Sequence, residues 1–212
     1  MSTLLDGLNA QLQGDTLAQM SRQLGADEAS TAQAVSMALP LLLGGLAREA
    51  ETPAGAQSLN RALEEDHDGS LLDNLPALLG AATSGAADVA APRALDGGGI
   101  LGHILGGKRE PVQQGIGRAT GLDSQQVGRL LIMLAPLVMA YLGRRKRQTG
   151  AGPTEIGSQL RAERQQVEQR APELGGLLGQ IFGGGGEDRP GIADDLARMA
   201  PNVLGKMFGG GR

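Results

Sequence analysis

One apolar run decides the fold: Leu130-Leu131-Ile132-Met133-Leu134-Ala135-Pro136-Leu137-Val138-Met139-Ala140-Tyr141-Leu142, residues 130–142. Its thirteen residues fall short of the about 20 that a membrane span needs, so no membrane span is expected. A helix that is apolar on every side belongs in a protein core. Together with a similar run around Pro40, this run predicts a core that contains Leu39, Leu42, Leu43, Leu130, Leu134 and Leu137.

The chain contains an internal match at an offset of 96 residues. The matched positions include glycine, aspartate and proline pairs: Gly25 with Gly121, Asp27 with Asp123, and Pro40 with Pro136. A glycine suits the left-handed position that ends a helix, and an aspartate suits the cap that begins the next one. Residues 17–46 and 112–142 are therefore predicted to form two helical hairpins. Each proline is expected to mark a kink or the first turn of a new helix.

A shorter pattern, which we name the apolar-glycine motif, occurs three times. Copy 1 is residues 100–107, copy 2 is residues 177–184 and copy 3 is residues 203–210. Each copy places apolar residues at i, i+1, i+4 and i+5, which is one face of a helix, and two glycines follow. Between the two apolar pairs lie a glycine and then a polar residue, which is His103, Gln180 or Lys206. Two interpretations stay open: an apolar contact segment for another chain, or a helix end that folds back on its own core.

The sequence predicts an all-α fold of two pseudo-equivalent helical repeats with glycine-rich linkers, since no strand pattern occurs. The expected units are a first repeat over 1–82, an Ala/Gly/Pro-rich linker over 83–99, a second repeat over 100–182, and a flexible hinge with a short C-terminal helix over 183–212. Further helices are predicted over 58–65, 70–82 and 155–170. The last has only Ile156, Leu160 and Val167 as apolar positions, which predicts packing along one narrow stripe.

Composition excludes several functions. The chain has no Cys, two His and three aromatic residues, which excludes thiolate metal sites and thiol catalysis and leaves no platform on which single-stranded bases could stack. Residues 64–68 form an acidic cluster that includes His67. The cluster lacks the spacing of a calcium-binding loop, and such a run of charges predicts a solvated helix end. His103 is expected at the surface, on a glycine-rich turn. We expect no enzyme activity, no cofactor, no metal and no small-molecule substrate.

Charge is divided unevenly along the chain. Residues 1–99 carry four Arg and thirteen acidic residues, whereas residues 100–212 carry fifteen basic and ten acidic residues. Residues 48–51 and 144–147, which match in the repeat, have nearly opposite charge. Such ends can pair within one chain, or head-to-tail between chains. We predict self-association or scaffolding with copies of this chain or other proteins, through Arg145, Arg147, Leu178, Ile181, Phe182, Met207 and Phe208.

DNA binding is the alternative function. Residues 116–131 have the spacing of a helix-turn-helix, and Gln125, Gln126 and Arg129 could reach base edges. The second helix, however, continues into the apolar run, and the acidic first repeat would repel phosphate. Specific nucleic-acid binding is therefore not expected. The first residues lack the basic and apolar parts of a secretory signal, so a cytoplasmic location is expected.

A family resemblance adds to these inferences. The glycine motif Leu95-Asp96-Gly97-Gly98-Gly99-Ile100-Leu101-Gly102-His103-Ile104-Leu105-Gly106, followed by Gly121-Leu122-Asp123 and the apolar run, resembles the bacterial family called domain of unknown function 937. The resemblance covers about residues 4 to 145 and extends in part to the small YidB-like group of helical proteins. It implies a helical bacterial protein and assigns no activity and no catalytic residues.

Overall fold

The structure, a computed structural model, describes residues 3–67, 69, 72 and 96–170. In this part of the chain the regular structure is helical and no strand occurs, which confirms the all-α prediction. The helices are α1 (Leu4–Gln11), α2 (Asp15–Leu24), α3 (Glu28–Glu49), α4 (Pro53–Glu65), α5 (Gly97–Leu105), α6 (Arg109–Thr120), α7 (Ser124–Thr149) and α8 (Pro153–Arg170). A 3-10 turn, Gly106–Lys108, joins α5 to α6.

The predicted helix ends are confirmed at both hairpins. Gly25 and Gly121 take left-handed conformations with φ of 65° and 79°, which glycine adopts without the strain that a Cβ would cause. The Asp27 carboxylate accepts the Ser30 backbone N–H at 2.8 Å, and this hydrogen bonding holds the pKa of Asp27 below its usual value. Asp123 caps α7 in the same way, with Gln126 completing a capping box.

Both prolines lie inside continuous helices. Pro40 is within the 22-residue α3 and Pro136 within the 26-residue α7, so of the two predicted alternatives the first turn of a new helix is wrong, and the kink stays a prediction. A proline removes one backbone N–H and leaves the carbonyl four residues earlier without its helical partner. Both prolines are buried, and the packing around them offsets that loss.

The core is centred on α3 and α7, which contact each other and are surrounded by the other helices. The six leucines predicted to be buried are all at most 2 % exposed, which confirms that prediction. By length and composition alone, α3 and α7 could each cross a membrane; 72 % and 78 % of their most apolar windows are buried inside the fold. Core helices of a bundle pass the same test of length and composition.

Helix α8 packs against α3 and α4. The predicted narrow stripe is confirmed, because Ile156, Leu160 and Val167 are 5 %, 0 % and 6 % exposed. A fourth residue of this stripe, Glu163, is equally buried, and sequence reasoning missed it. Its carboxylate accepts the backbone N–H groups of Leu4 at 2.9 Å and Leu5 at 3.0 Å. A buried charge on α8 therefore holds the first turn of α1.

Two predicted boundaries change. Residues 97–99, predicted as linker, form the first turn of α5, because the Asp96 carboxylate caps it by accepting the Gly99 N–H at 2.8 Å. The helix predicted over 58–65 begins at Pro53, where Thr52 caps it and proline occupies the first turn. The remaining linker over 83–95, most of the helix predicted over 70–82, and residues 171–212 lie outside the described residues.

Candidate functional site

Copy 1 of the apolar-glycine motif folds back on its own core. It lies on α5, which packs against α7 and α3, and its Leu101, Ile104 and Leu105 are 0 %, 6 % and 3 % exposed. Of the two interpretations, the helix end that folds back is therefore correct for this copy. Copies 2 and 3, with the predicted contact residues Leu178, Ile181, Phe182, Met207 and Phe208, lie outside the described residues.

Two glycines permit this close packing of α5. A side chain at Gly97 would overlap the Ile132 carbonyl oxygen on α7, the carbonyl that Pro136 leaves without a helical N–H partner. A side chain at Gly45 on α3 would overlap Ile104. Backbone can approach backbone this closely only where no Cβ intervenes. The place of α5 therefore requires glycine at position 97.

A cleft of about 360 Å³ lies between α3, α4, α5 and α7. Its floor is apolar, with Leu46, Leu59, Ile104 and Met139 nearly buried, and with Ala62 and Ile100 half-buried at its edge. Three acidic residues stand around it: Glu49 and Asp96, which are exposed, and Asp66, which is half-buried. The cleft thus combines apolar side chains inside with negative charge at the rim.

Both histidines of the chain line this cleft. His103 is exposed, as predicted, although it lies on helix α5 rather than on a turn. His67 is only 3 % exposed, so the prediction of a solvated helix end is wrong for this residue. Its backbone carbonyl packs against Gly143 of α7, where a side chain would overlap it.

The chemistry of His67 follows from its burial. Its Nδ1 atom is buried and has no hydrogen-bond partner among the described residues. Burial lowers the pKa of His67, and the nearby Asp66 carboxylate opposes that shift only in part, so the neutral imidazole is favoured. Within the described ranges, no group of three His, Cys, Asp or Glu side chains could hold a metal ion.

The basic end of α7 is partly engaged within the chain. The Arg144 guanidinium donates to the Gly69 carbonyl at 3.1 Å, and Lys146 forms an ion pair with Glu64 that holds the pKa of Glu64 below its usual value. The two predicted contact residues at this end differ in exposure: Arg147 is exposed, whereas Arg145 is half-buried. The Nε atom of Arg145 is buried and has no hydrogen-bond partner in the described part of the chain. The basic end of α7 is therefore engaged in pairing within the chain, with Arg144 and Lys146 as two of the residues involved.

Of the three residues that could reach base edges, Gln126 has a structural role. The Gln126 side-chain amide donates to the Leu24 carbonyl at the end of α2 at 3.1 Å, while its oxygen completes the cap of α7. Gln125 and Arg129 are exposed, but the helix that carries them continues as the buried centre of the fold. Nothing in this arrangement favours reading of DNA by α7.

Replacing Gln126 tests that structural role. We expect Gln126→Ala to lower the free energy of unfolding by about 1–2 kcal/mol, since it removes a cap and a hydrogen bond between α7 and α2. Urea denaturation measures the change, and the exposed neighbour Gln125→Ala is the control, at no more than about 0.5 kcal/mol. Equal, small effects of both variants would contradict the assignment.

Comparison with protein families gives a match over most of the chain. The model of a bacterial family of unknown function, DUF937, matches residues 6–145, which confirms the resemblance seen in the glycine motif. The matched region runs from α1 into α7, and α8 follows it. No curated protein and no solved structure matches the chain.

Proposed function

We propose that this chain, which belongs to the DUF937 family, is a non-enzymatic helical protein that self-associates and so serves as a scaffold. In this proposal the chain consists of two pseudo-equivalent helical repeats, and copies 2 and 3 of the apolar-glycine motif supply the contacts between molecules. It needs no cofactor and acts in the cytoplasm.

Cross-contacts between the halves support the two repeats. At the offset of 96 residues, α2 and α3 correspond to α6 and α7. Gln126 of α7 donates to the Leu24 carbonyl at the end of α2, and Gln33 of α3 donates to the Ala119 carbonyl at the end of α6, at 3.1 and 3.2 Å. Each half thus holds the other through the same pair of elements, as two subunits of a symmetric dimer would.

The docking of α5 is the observation that carries the self-association. Copy 1 buries three of the four side chains of its apolar face, although four of the nine residues of α5 are glycine, each costing about 1 kcal/mol of helix propensity relative to Ala. Tertiary contacts therefore hold this helix in place. A motif of this kind gains its stability by burying its apolar side chains.

Copies 2 and 3 lack the preceding glycine, Gly97, that lets copy 1 pack closely against α7. The residue that corresponds to Gly97 is Leu174 before copy 2 and Ala200 before copy 3, and either side chain would overlap the Ile132 carbonyl. These copies therefore need a different apolar surface. We assign to them the contacts of Leu178, Ile181, Phe182, Met207 and Phe208 between molecules.

The basic end of α7 sets the orientation of the contact in this proposal. Arg145 and Arg147 face an acidic part of the next molecule in a head-to-tail arrangement. Such a contact is heterologous, so it closes into a ring or continues as a filament. Exposed ion pairs contribute at most about 1 kcal/mol each; burial of the apolar side chains supplies most of the affinity.

Absolute mass in solution, measured across a salt series, tests self-association. We expect Ile181→Ser with Phe182→Ser to weaken association at every salt concentration, because apolar burial is lost. We expect Arg145→Glu with Arg147→Glu to weaken it chiefly at low salt, because salt screens exposed charges. Gln180→Ser, at the polar position of copy 2, is the control. A wild-type protein that stays monomeric at high micromolar concentration in low salt would refute the proposal.

A further inference from the structure

We propose that the cleft between α3, α4, α5 and α7 receives residues 203–208 of a second copy of this chain, with Met207 and Phe208 inserted and Lys206 at the acidic rim. This inference rests on the proposed self-association and names the surface and the segment through which it occurs.

The apolar part of the cleft fits such an occupant. Its floor is formed by buried aliphatic side chains and Met139, and Ile100 and Ala62 remain half-buried at its edge. Met fills irregular apolar spaces because its side chain is flexible, and Phe supplies a large apolar area on burial. A cleft of about 360 Å³ is large enough for a small number of side chains, but not for a whole helix.

Charge selects copy 3 over copy 2. Glu49, Asp66 and Asp96 place three carboxylates around the cleft. The burial of His67 favours its neutral imidazole by lowering its pKa, so this histidine does not offset the negative charge. The polar position of the motif is Lys206 in copy 3 but Gln180 in copy 2. A lysine at the rim is attracted to the carboxylates, and its stem packs on apolar surface.

The geometry of copy 1 keeps copy 3 from entering the place of α5 itself. Ala200 would stand where Gly97 contacts the Ile132 carbonyl. The cleft lies directly beside that place, and Gly99, Ile100 and Ile104 of α5 form one of its walls. Copy 3 would therefore pack alongside copy 1, with glycines at the contact allowing the two backbones to approach.

A complementation experiment tests the site with the full chain. Ser58→Trp obstructs the cleft from an exposed position on α4 that lines it, and Gln57→Trp is the control at the next, equally exposed position, which does not line it. Met207→Ser with Phe208→Ser removes the inserted side chains. We expect the Ser58→Trp variant and the Met207→Ser/Phe208→Ser variant, which we call the tail variant, each to associate at least about tenfold more weakly than the wild type.

An equal mixture of the Ser58→Trp variant and the Met207→Ser/Phe208→Ser variant is the decisive sample. One partner has an intact tail and the other an intact cleft, so the mixture should form dimers that do not grow further. Gln57→Trp should associate as the wild type does.

Charge reversal gives a second, independent readout. Asp66→Lys at the rim and Lys206→Glu in the tail should each weaken association, chiefly at low salt. Combining them in one chain should restore part of the association, because a lysine at position 66 attracts a glutamate at position 206 while Glu49 and Asp96 still repel it. Glu65→Lys is the matched control, since Glu65 is exposed and adjacent to Asp66 but does not line the cleft.

The outcomes separate the two proposals. Association that survives Ser58→Trp unchanged overturns the cleft as the receiving surface and leaves self-association intact. A monomeric wild type overturns both. Variants that are each monomeric but form no dimer when mixed would indicate another contact surface or docking within one chain, and would overturn the exchange between copies.

Discussion

Leu134→Ala is expected to lower the free energy of unfolding by about 2–5 kcal/mol, the usual cost of truncating a fully buried leucine. Leu134 is 0 % exposed at the centre of α7, where the surrounding helices leave it no contact with solvent. The loss comprises the transfer energy of the removed methyl groups and the cavity that remains. Urea denaturation followed by circular dichroism measures it.

The control for Leu134→Ala lies on the same helix. Arg129 is exposed, and Arg129→Ala should change the free energy of unfolding by no more than about 0.5 kcal/mol. If both variants unfolded at the wild-type urea concentration, α7 would face solvent or lipid, and the bundle described above would be wrong.

Glu163→Ala should produce the other large loss of stability, about 1.5–3 kcal/mol, the range for hydrogen bonds to a charged group. Glu163 is 5 % exposed, and its carboxylate accepts two backbone N–H groups of α1. Truncation leaves the Leu4 N–H buried without that acceptor, and it removes a negative charge from the N-terminus of a helix. Denaturation measures the loss, and faster hydrogen exchange at Leu4 and Leu5 locates it.

Glu168→Ala is the matched control on α8. Glu168 is exposed and pairs with Arg164 one turn earlier, so its removal should cost no more than about 0.5 kcal/mol. Unchanged exchange at Leu4 and Leu5 in Glu163→Ala would mean that the buried carboxylate does not hold α1.

Much of the fold was predictable from local sequence. The C-terminal ends of α2 and α6 and the first residues of α3 and α7 follow from glycine and aspartate at fixed spacing, because these residues satisfy backbone groups within one turn. The buried leucines of α3 and α7 follow from apolar density, and the stripe of α8 follows from helical periodicity. Each of these signals acts over a few residues, so a short segment of the chain is enough to predict the helix end or the buried face that it forms.

The candidate site was less predictable. Its walls come from segments that are far apart in sequence, and His67 and His103 gave no signal that they would line one cleft. Gln126 was weighed as a base-contacting residue; its hydrogen bond to the Leu24 carbonyl spans 102 residues. An acidic cluster with a buried histidine at its end has the same local pattern as a solvated helix end.

The sequence by itself determined the helical class, the caps at the turn of each hairpin and the central apolar helices, because hydrophobic burial and backbone capping depend on residue type and local spacing. Only the tertiary structure decided that α3 and α7 continue through Pro40 and Pro136. It also decided that Gly97 packs against the Ile132 carbonyl, which Pro136 leaves without a helical partner, and that Glu163 binds the start of α1. These features depend on which surfaces meet, since a proline, a glycine or a glutamate becomes favourable at such a position only through the partner that packs against it.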